Sequence, residues 1–155
     1  MKYRQLTKEQ FESLHSEFAQ FLATQGIDKN EWEKIKIEKT ELAEEEMNLF
    51  SDVVWEDVLT KTAFLEHFSK DTLNLFACKD KEINRIVVKV NGNIDLLTKE
   101  GYEWLLKNYN NDDVDFFNGS KIYKLGRNLE IFDLIEKGST ISNGELYNFF
   151  EKIIR

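Results

Sequence analysis

Phe11, Leu14, Phe18, Phe21 and Leu22 recur at the three-and-four spacing of one helical face, which predicts a first helix over this stretch. Its start is marked twice. Thr7 and Gln10 form a T-x-x-Q capping box, and Leu6 and Phe11 occupy the two positions of a hydrophobic staple. Gly26 supplies the stop. Asp28 followed by Glu31 repeats the capping logic and opens a short helix holding Trp32 and Ile35. Thr40 caps a third helix over 41–60. At 100° per residue, Ala43, Met47, Phe50, Val54 and Val58 line one stripe of that helix, flanked by Leu42, Leu49 and Val53. Glu41, Glu45, Asp52 and Glu56 fall on the opposite face, with Trp55 on the rim of the acids.

The period then changes. Residues 64–68, 72–78 and 83–90 are short runs of aromatic and β-branched residues separated by charged turns, which predicts a three-stranded antiparallel meander. Residues 64–68 can also be read as an extension of the preceding helix. Asn91-Gly92-Asn93 closes the meander. Thr98 starts a helix with Tyr102, Leu105, Leu106 and Tyr109 inward. Residues 114–117 and 121–123, on either side of Asn118-Gly119, read as a small hairpin. A helix over 127–137 carries Leu129, Phe132 and Ile135 and ends at Gly138. Ser142 and Glu145 form an S-x-x-E box, stapled by Ile141 and Leu146, before a last helix through Phe149, Phe150 and Ile153. The expected fold class is α+β: a helical N-terminal half, a small antiparallel sheet, and C-terminal helices packed on one side of it.

Composition supports a single domain over residues 1–155. The chain is 41 % apolar with twelve Phe, three Trp and five Tyr, enough for a sizeable core. It has no proline and seven glycines, so no flexible linker marks a domain seam. Charge changes the picture most. Residues 28–57 hold eleven acidic side chains and four lysines, and therefore seven of the eight net negative charges. Charge confined in this way makes a directional field whose natural partner is a basic surface. The same acidity argues against nucleic acid as a partner. No run of apolar residues is long enough for a membrane helix, so no membrane association is expected. A lone cysteine, Cys78, suits a reducing, cytoplasmic location.

Candidate chemistry is sparse. Cys78, His67 and His15 are the only thiol and imidazoles. If 69–72 is a turn, His67 pairs opposite Asn74 and Cys78 lies about 13 Å further along the ladder, beyond the reach of a catalytic dyad. Glu66 and His67 are strand neighbours and point to opposite faces. Three such residues at wide spacing make no zinc site, and neither Glu44–Glu46 nor Asp112-Asp113-Asp115 matches a calcium loop. No glycine-rich phosphate cradle is present. Lys121, Lys124 and Arg127 precede a helix and form a weak anion-site pattern. No catalytic, cofactor or metal residues are therefore assigned.

The order of segments MKYRQLTKEQF, FLATQGIDKNEW, LFSDVVWEDVLTK, LEHFSKDTLNLF, LTKEGYEWLL, RNLEIFDLIEKG and ISNGELYNFF resembles an uncharacterised bacterial family of small acidic proteins, known only as a domain of unknown function. The resemblance spans the chain and implies a free-standing cytoplasmic protein, with no activity or site residues.

The expectation is a non-enzymatic protein-interaction module that offers Glu41, Glu45, Asp52, Trp55 and Glu56 to a basic protein partner. The alternative is a small carboxylate-dependent enzyme with a pocket between the sheet and the C-terminal helices. A structural subunit or homodimer is a third reading, and the oligomeric state is open.

Overall fold

Thr7 and Gln10 cap the first helix as their spacing predicts. The Thr7 side chain accepts from the Gln10 N–H, and the Gln10 side chain accepts from the Thr7 N–H. The computed structural model describes residues 1–154. The helix opened by this box is short. α1 (Lys8–Ser13) ends at Leu14, whose φ of −107° and ψ of 23° depart from helical values, and α2 (His15–Thr24) starts directly after it. The single helix expected from the Phe11–Leu22 pattern is thus two helices bent about one residue. Gly26, at φ 75°, ends α2 in the left-handed region that glycine tolerates. Asp28 caps α3 (Lys29–Glu38), its carboxylate accepting from the Glu31 N–H at 2.8 Å.

α4 (Thr40–Lys61) closes the helical half. Its early turns join an aromatic cluster: Phe50 lies 5.0 Å from Phe18 and 5.5 Å from Phe21, and Phe18 meets Trp32 edge-on at 5.2 Å. The buried positions are Ala43, Glu46, Phe50, Ser51, Trp55 and Leu59. The expected stripe through Met47, Val54 and Val58 is therefore wrong in phase, and all three are only half-buried. The buried side also rotates along α4, from Ala43–Glu46–Phe50 to Ser51–Trp55–Leu59.

The chain divides into two compact units, Met1–Thr60 and the residues from Lys61 onward. In the second unit β1 (Phe64–Phe68), β2 (Thr72–Cys78) and β3 (Glu82–Val90) form the expected antiparallel meander. Residues 64–68 are strand, not helix extension. α5 (Lys99–Lys107) follows, capped by Thr98, which accepts from the Gly101 N–H at 3.0 Å. Gly101 has no substitute there, because a Cβ would overlap the Asp95 carbonyl.

β4 (Val114–Ile122) runs straight through Asn118-Gly119 and pairs with β3 along its whole length, so the expected hairpin is one strand. α6 (Arg127–Glu136) and a short β5 (Thr140–Ser142) come next, then α7 (Glu145–Ile154). β5 was not expected. Ser142 pairs with Phe64 instead of completing a capping box, and its hydroxyl accepts from Gly144 while Asn143 caps Glu145. The sheet order is β4-β3-β2-β1-β5, antiparallel throughout.

One face of the sheet, through Leu73, Leu75, Ile86, Val88 and Val90, packs on Leu105 of α5 and on Tyr147 and Phe150 of α7. α6 lies across the opposite face, beside Phe76, Ile83 and Val87. The C-terminal helices are therefore on both sides of the sheet. Among the described residues, no helix is long and apolar enough to cross a membrane.

Candidate functional site

The acidic face of α4 is not uniformly open, because residues 2–6 lie along it. The Asp52 carboxylate accepts from the Lys2 N–H at 2.7 Å and the Tyr3 N–H at 2.9 Å. Glu56 accepts from the Tyr3 hydroxyl and pairs with Lys2 Nζ at 3.3 Å. The Arg4 guanidinium stands 4.8 Å from the centroid of the Trp55 ring. Gln5 Nε2 donates to Glu44 at 2.9 Å and to Asn48 at 3.0 Å, and the Leu6 N–H donates to Ser51 Oγ at 3.0 Å. The contact perturbs its members. The hydrogen bond to Glu56 pushes the Lys2 ammonium above its ordinary pKa. Burial, and then the same carboxylate, push up the Tyr3 phenol.

Trp55, expected on an exposed rim, is buried, with 8 % of its surface exposed. This accounts for part of the rotation of the buried side of α4: Leu6 and Arg4 of the strap meet Ser51 and Trp55, a cover that the helical phase alone does not register. The sequence did hold a signal, since Lys2, Tyr3 and Arg4 are a basic and aromatic run in a chain whose acids are concentrated elsewhere.

Glu41 and Glu45 are brought together at the other end of α4, both exposed. With Glu38, Lys39 and Leu42 they line a depression of about 460 Å³ where α3 meets α4. Asp52 follows Glu45 by seven residues, about 10 Å along the axis. The five expected site residues therefore separate into an open pair, Glu41 and Glu45, and a strapped group, Asp52, Trp55 and Glu56. Among the described residues, no cluster of three His, Cys, Asp or Glu is arranged to hold a metal.

The second unit has a larger hollow. A groove of about 590 Å³ runs between α6 and the sheet, floored by Phe76, Ile83, Val87 and Phe117 and edged by Arg85, Lys121 and Lys137. Its two carboxylates are already engaged. Glu130 accepts from the Lys124 N–H at 2.7 Å and the Leu125 N–H at 3.1 Å, with Lys121 Nζ 3.6 Å away, and Asp133 pairs with Lys137 at 2.7 Å. The anion-site pattern at Lys121, Lys124 and Arg127 is thus filled by the chain's own Glu130. Arg127 turns instead to backbone, donating to the carbonyls of Thr62 at 2.5 Å, Cys78 at 3.2 Å and Lys79 at 3.2 Å.

His67 pairs opposite Asn74, the register expected, and Cys78 stands four residues on. Cys78 is buried, and burial pushes its thiol up to about 11 despite the nearby Arg127. The Cys78 thiol is therefore held in its protonated form around neutral pH.

The model of a family of unknown function, DUF6495, matches residues 1–155. The chain belongs to that family. No curated protein and no solved structure matches it. Membership in DUF6495 covers both units and assigns no chemistry to either the acidic face or the groove.

Proposed function

We propose that this DUF6495 protein is a non-enzymatic interaction module that receives a basic segment of a protein partner on the α3–α4 acidic face. One observation carries the reading: residues 2–4, Lys-Tyr-Arg, already lie along Asp52, Trp55 and Glu56 through charge-assisted hydrogen bonds and a cation–π contact. The face therefore has the chemistry to hold a cationic, aromatic peptide, and its Glu38–Glu41–Glu45 end is exposed for another. Localised negative charge favours fast encounter with such a partner.

The test is capture from cells with the full chain, comparing the wild type with a Glu41→Lys, Glu45→Lys double variant. A basic protein recovered in stoichiometric amount, released by salt and lost in the variant, supports the reading. Equal recovery by both proteins, or no basic protein at low salt, overturns it. The groove beside α6 favours a second reading, a small carboxylate-dependent enzyme. The engagement of Glu130 and Asp133 in pairs within the chain weighs against it.

A further inference from the structure

The sheet ends on one side at β4, a nine-residue strand with no strand beyond it among the described residues. Long, flat edges of this kind are templates for pairing unless they are blunted by bulges, proline or charge. β4 has no bulge, since every residue from Val114 to Ile122 is in register with β3. The chain has no proline. Phe117 is 57 % exposed and Ile122 71 % exposed.

The phase of the ladder decides what the edge offers. The Asn91 N–H donates to the Asp113 carbonyl at 2.8 Å, and the Tyr123 N–H to the Lys81 carbonyl at 3.3 Å. Antiparallel bonding alternates, so odd-numbered residues of β4 turn their backbone groups to β3. Phe116, Asn118, Ser120 and Ile122 turn theirs to solvent.

Gly119 is unexplained within the chain. Its φ is not positive, and a Cβ there would meet nothing within 4 Å. A glycine in mid-strand weakens the strand and often marks the close approach of another group.

We propose that β4 pairs antiparallel with β4 of a second copy of this chain, about a two-fold axis at Asn118, joining two five-stranded sheets edge to edge. This register overlaps all nine residues. It sets Asp115 of each copy opposite Lys121 of the other, and Phe117 opposite Gly119. Both are non-hydrogen-bonded pairs, in which facing side chains come closest. The ring of Phe117 covers the space that Gly119 leaves. Moving the axis by one residue separates both pairs. The groups are accessible: Lys121 is 62 % exposed though 3.6 Å from Glu130, and Asp115 is exposed while accepting from Asn91 at 2.9 Å. Val114 gives its N–H to Asn111 at 3.0 Å, so the outermost pair keeps one bond. An edge contact buries little area, which sets a dissociation constant on the order of micromolar.

Sedimentation of the full chain across that concentration range tests the pairing, with circular dichroism as the check on folding. The wild type is expected to dimerise. Asp115→Lys weakens the dimer about tenfold, because like charges then face each other twice. Adding Lys121→Asp to Asp115→Lys restores it. Asn118→Pro removes the central outward N–H, leaves the β3 ladder its bonds, and gives a folded monomer. A wild type that is monomeric at every concentration overturns the proposal and leaves the edge to a strand from another protein. A dimer indifferent to both Asn118→Pro and Asp115→Lys also overturns it.

Discussion

Beneath the Arg4 guanidinium, the Trp55 indole is removed from water and contributes to folding, not to an open surface. Truncating a buried Trp loses both transfer free energy and packing, so Trp55→Ala is expected to lower stability by about 3–5 kcal/mol in urea unfolding. A loss under about 1 kcal/mol would return Trp55 to the role of a surface anchor. Cys78 and Tyr123 supply a second expectation at this scale. Burial pushes the thiol up to about 11 and the Tyr123 phenol up to about 12, with Cys78 itself adding to the shift of Tyr123. Each group is protonated in the folded chain over a range where the unfolded chain has lost the proton. The unfolded state therefore binds fewer protons, and stability falls as pH rises from about 9. Below that pH the contribution is fully present. Thermal midpoints should be flat between pH 7 and pH 8.5 on this account and then decline, and thiol labelling at pH 8 should be slow until the chain is unfolded. The Tyr123 hydroxyl is buried with no hydrogen-bond partner among the described residues, so Tyr123→Phe is expected to leave stability unchanged or raise it slightly.

The strap of residues 2–6 belongs to the scale of elements. Deleting residues 1–4 uncovers Trp55, Asp52 and Glu56, so tryptophan emission should shift to the red and the urea midpoint should fall. An unchanged emission spectrum would show that Arg4 and Tyr3 do not shield the indole in solution. The strap also explains what was legible in the sequence and what was not. Caps depend on neighbours three residues apart, and Thr7, Asp28 and Thr98 all act as their spacing predicts. The meander and its His67–Asn74 register follow from period-two runs and short turns. The phase of α4 did not follow, because a helical wheel assumes one buried direction and this helix has two. Its early turns face Phe18 and Phe21, and its later turns carry Arg4 and Leu6. Asn118-Gly119 read as a turn because glycine usually marks one, whereas here it lies in a continuous strand. β5 has only three residues, and its pairing with β1 is a long-range choice that no local pattern signals. Of the five expected site residues, the period alone groups the four acids on one side of α4. The covering of Asp52 and Glu56 came from a segment about fifty residues away.

For the whole molecule, the decisive quantity is where the charge sits. The net charge is −8, and seven of those charges lie in residues 28–57. No cluster among the described residues is built for a metal, and the only cysteine is alone, so thermal unfolding should be indifferent to EDTA and to reductant. The field itself makes the last expectation. Glu41 and Glu45 are exposed, and their carboxylates act mainly through water. Charges of that kind speed the encounter of partners more than they hold the complex together. With the captured basic partner in stopped-flow mixing, Glu41→Lys with Glu45→Lys should reduce the association rate several-fold at low salt and change dissociation little. Screening shortens the reach of the field to about 10 Å at 0.1 M salt, so the difference between variant and wild type should shrink as salt is added. A faster dissociation with unchanged association would mean that the two carboxylates are direct contacts in a desolvated interface. No change in either rate would reduce the face to solvated charge, and the interaction reading would lose its basis.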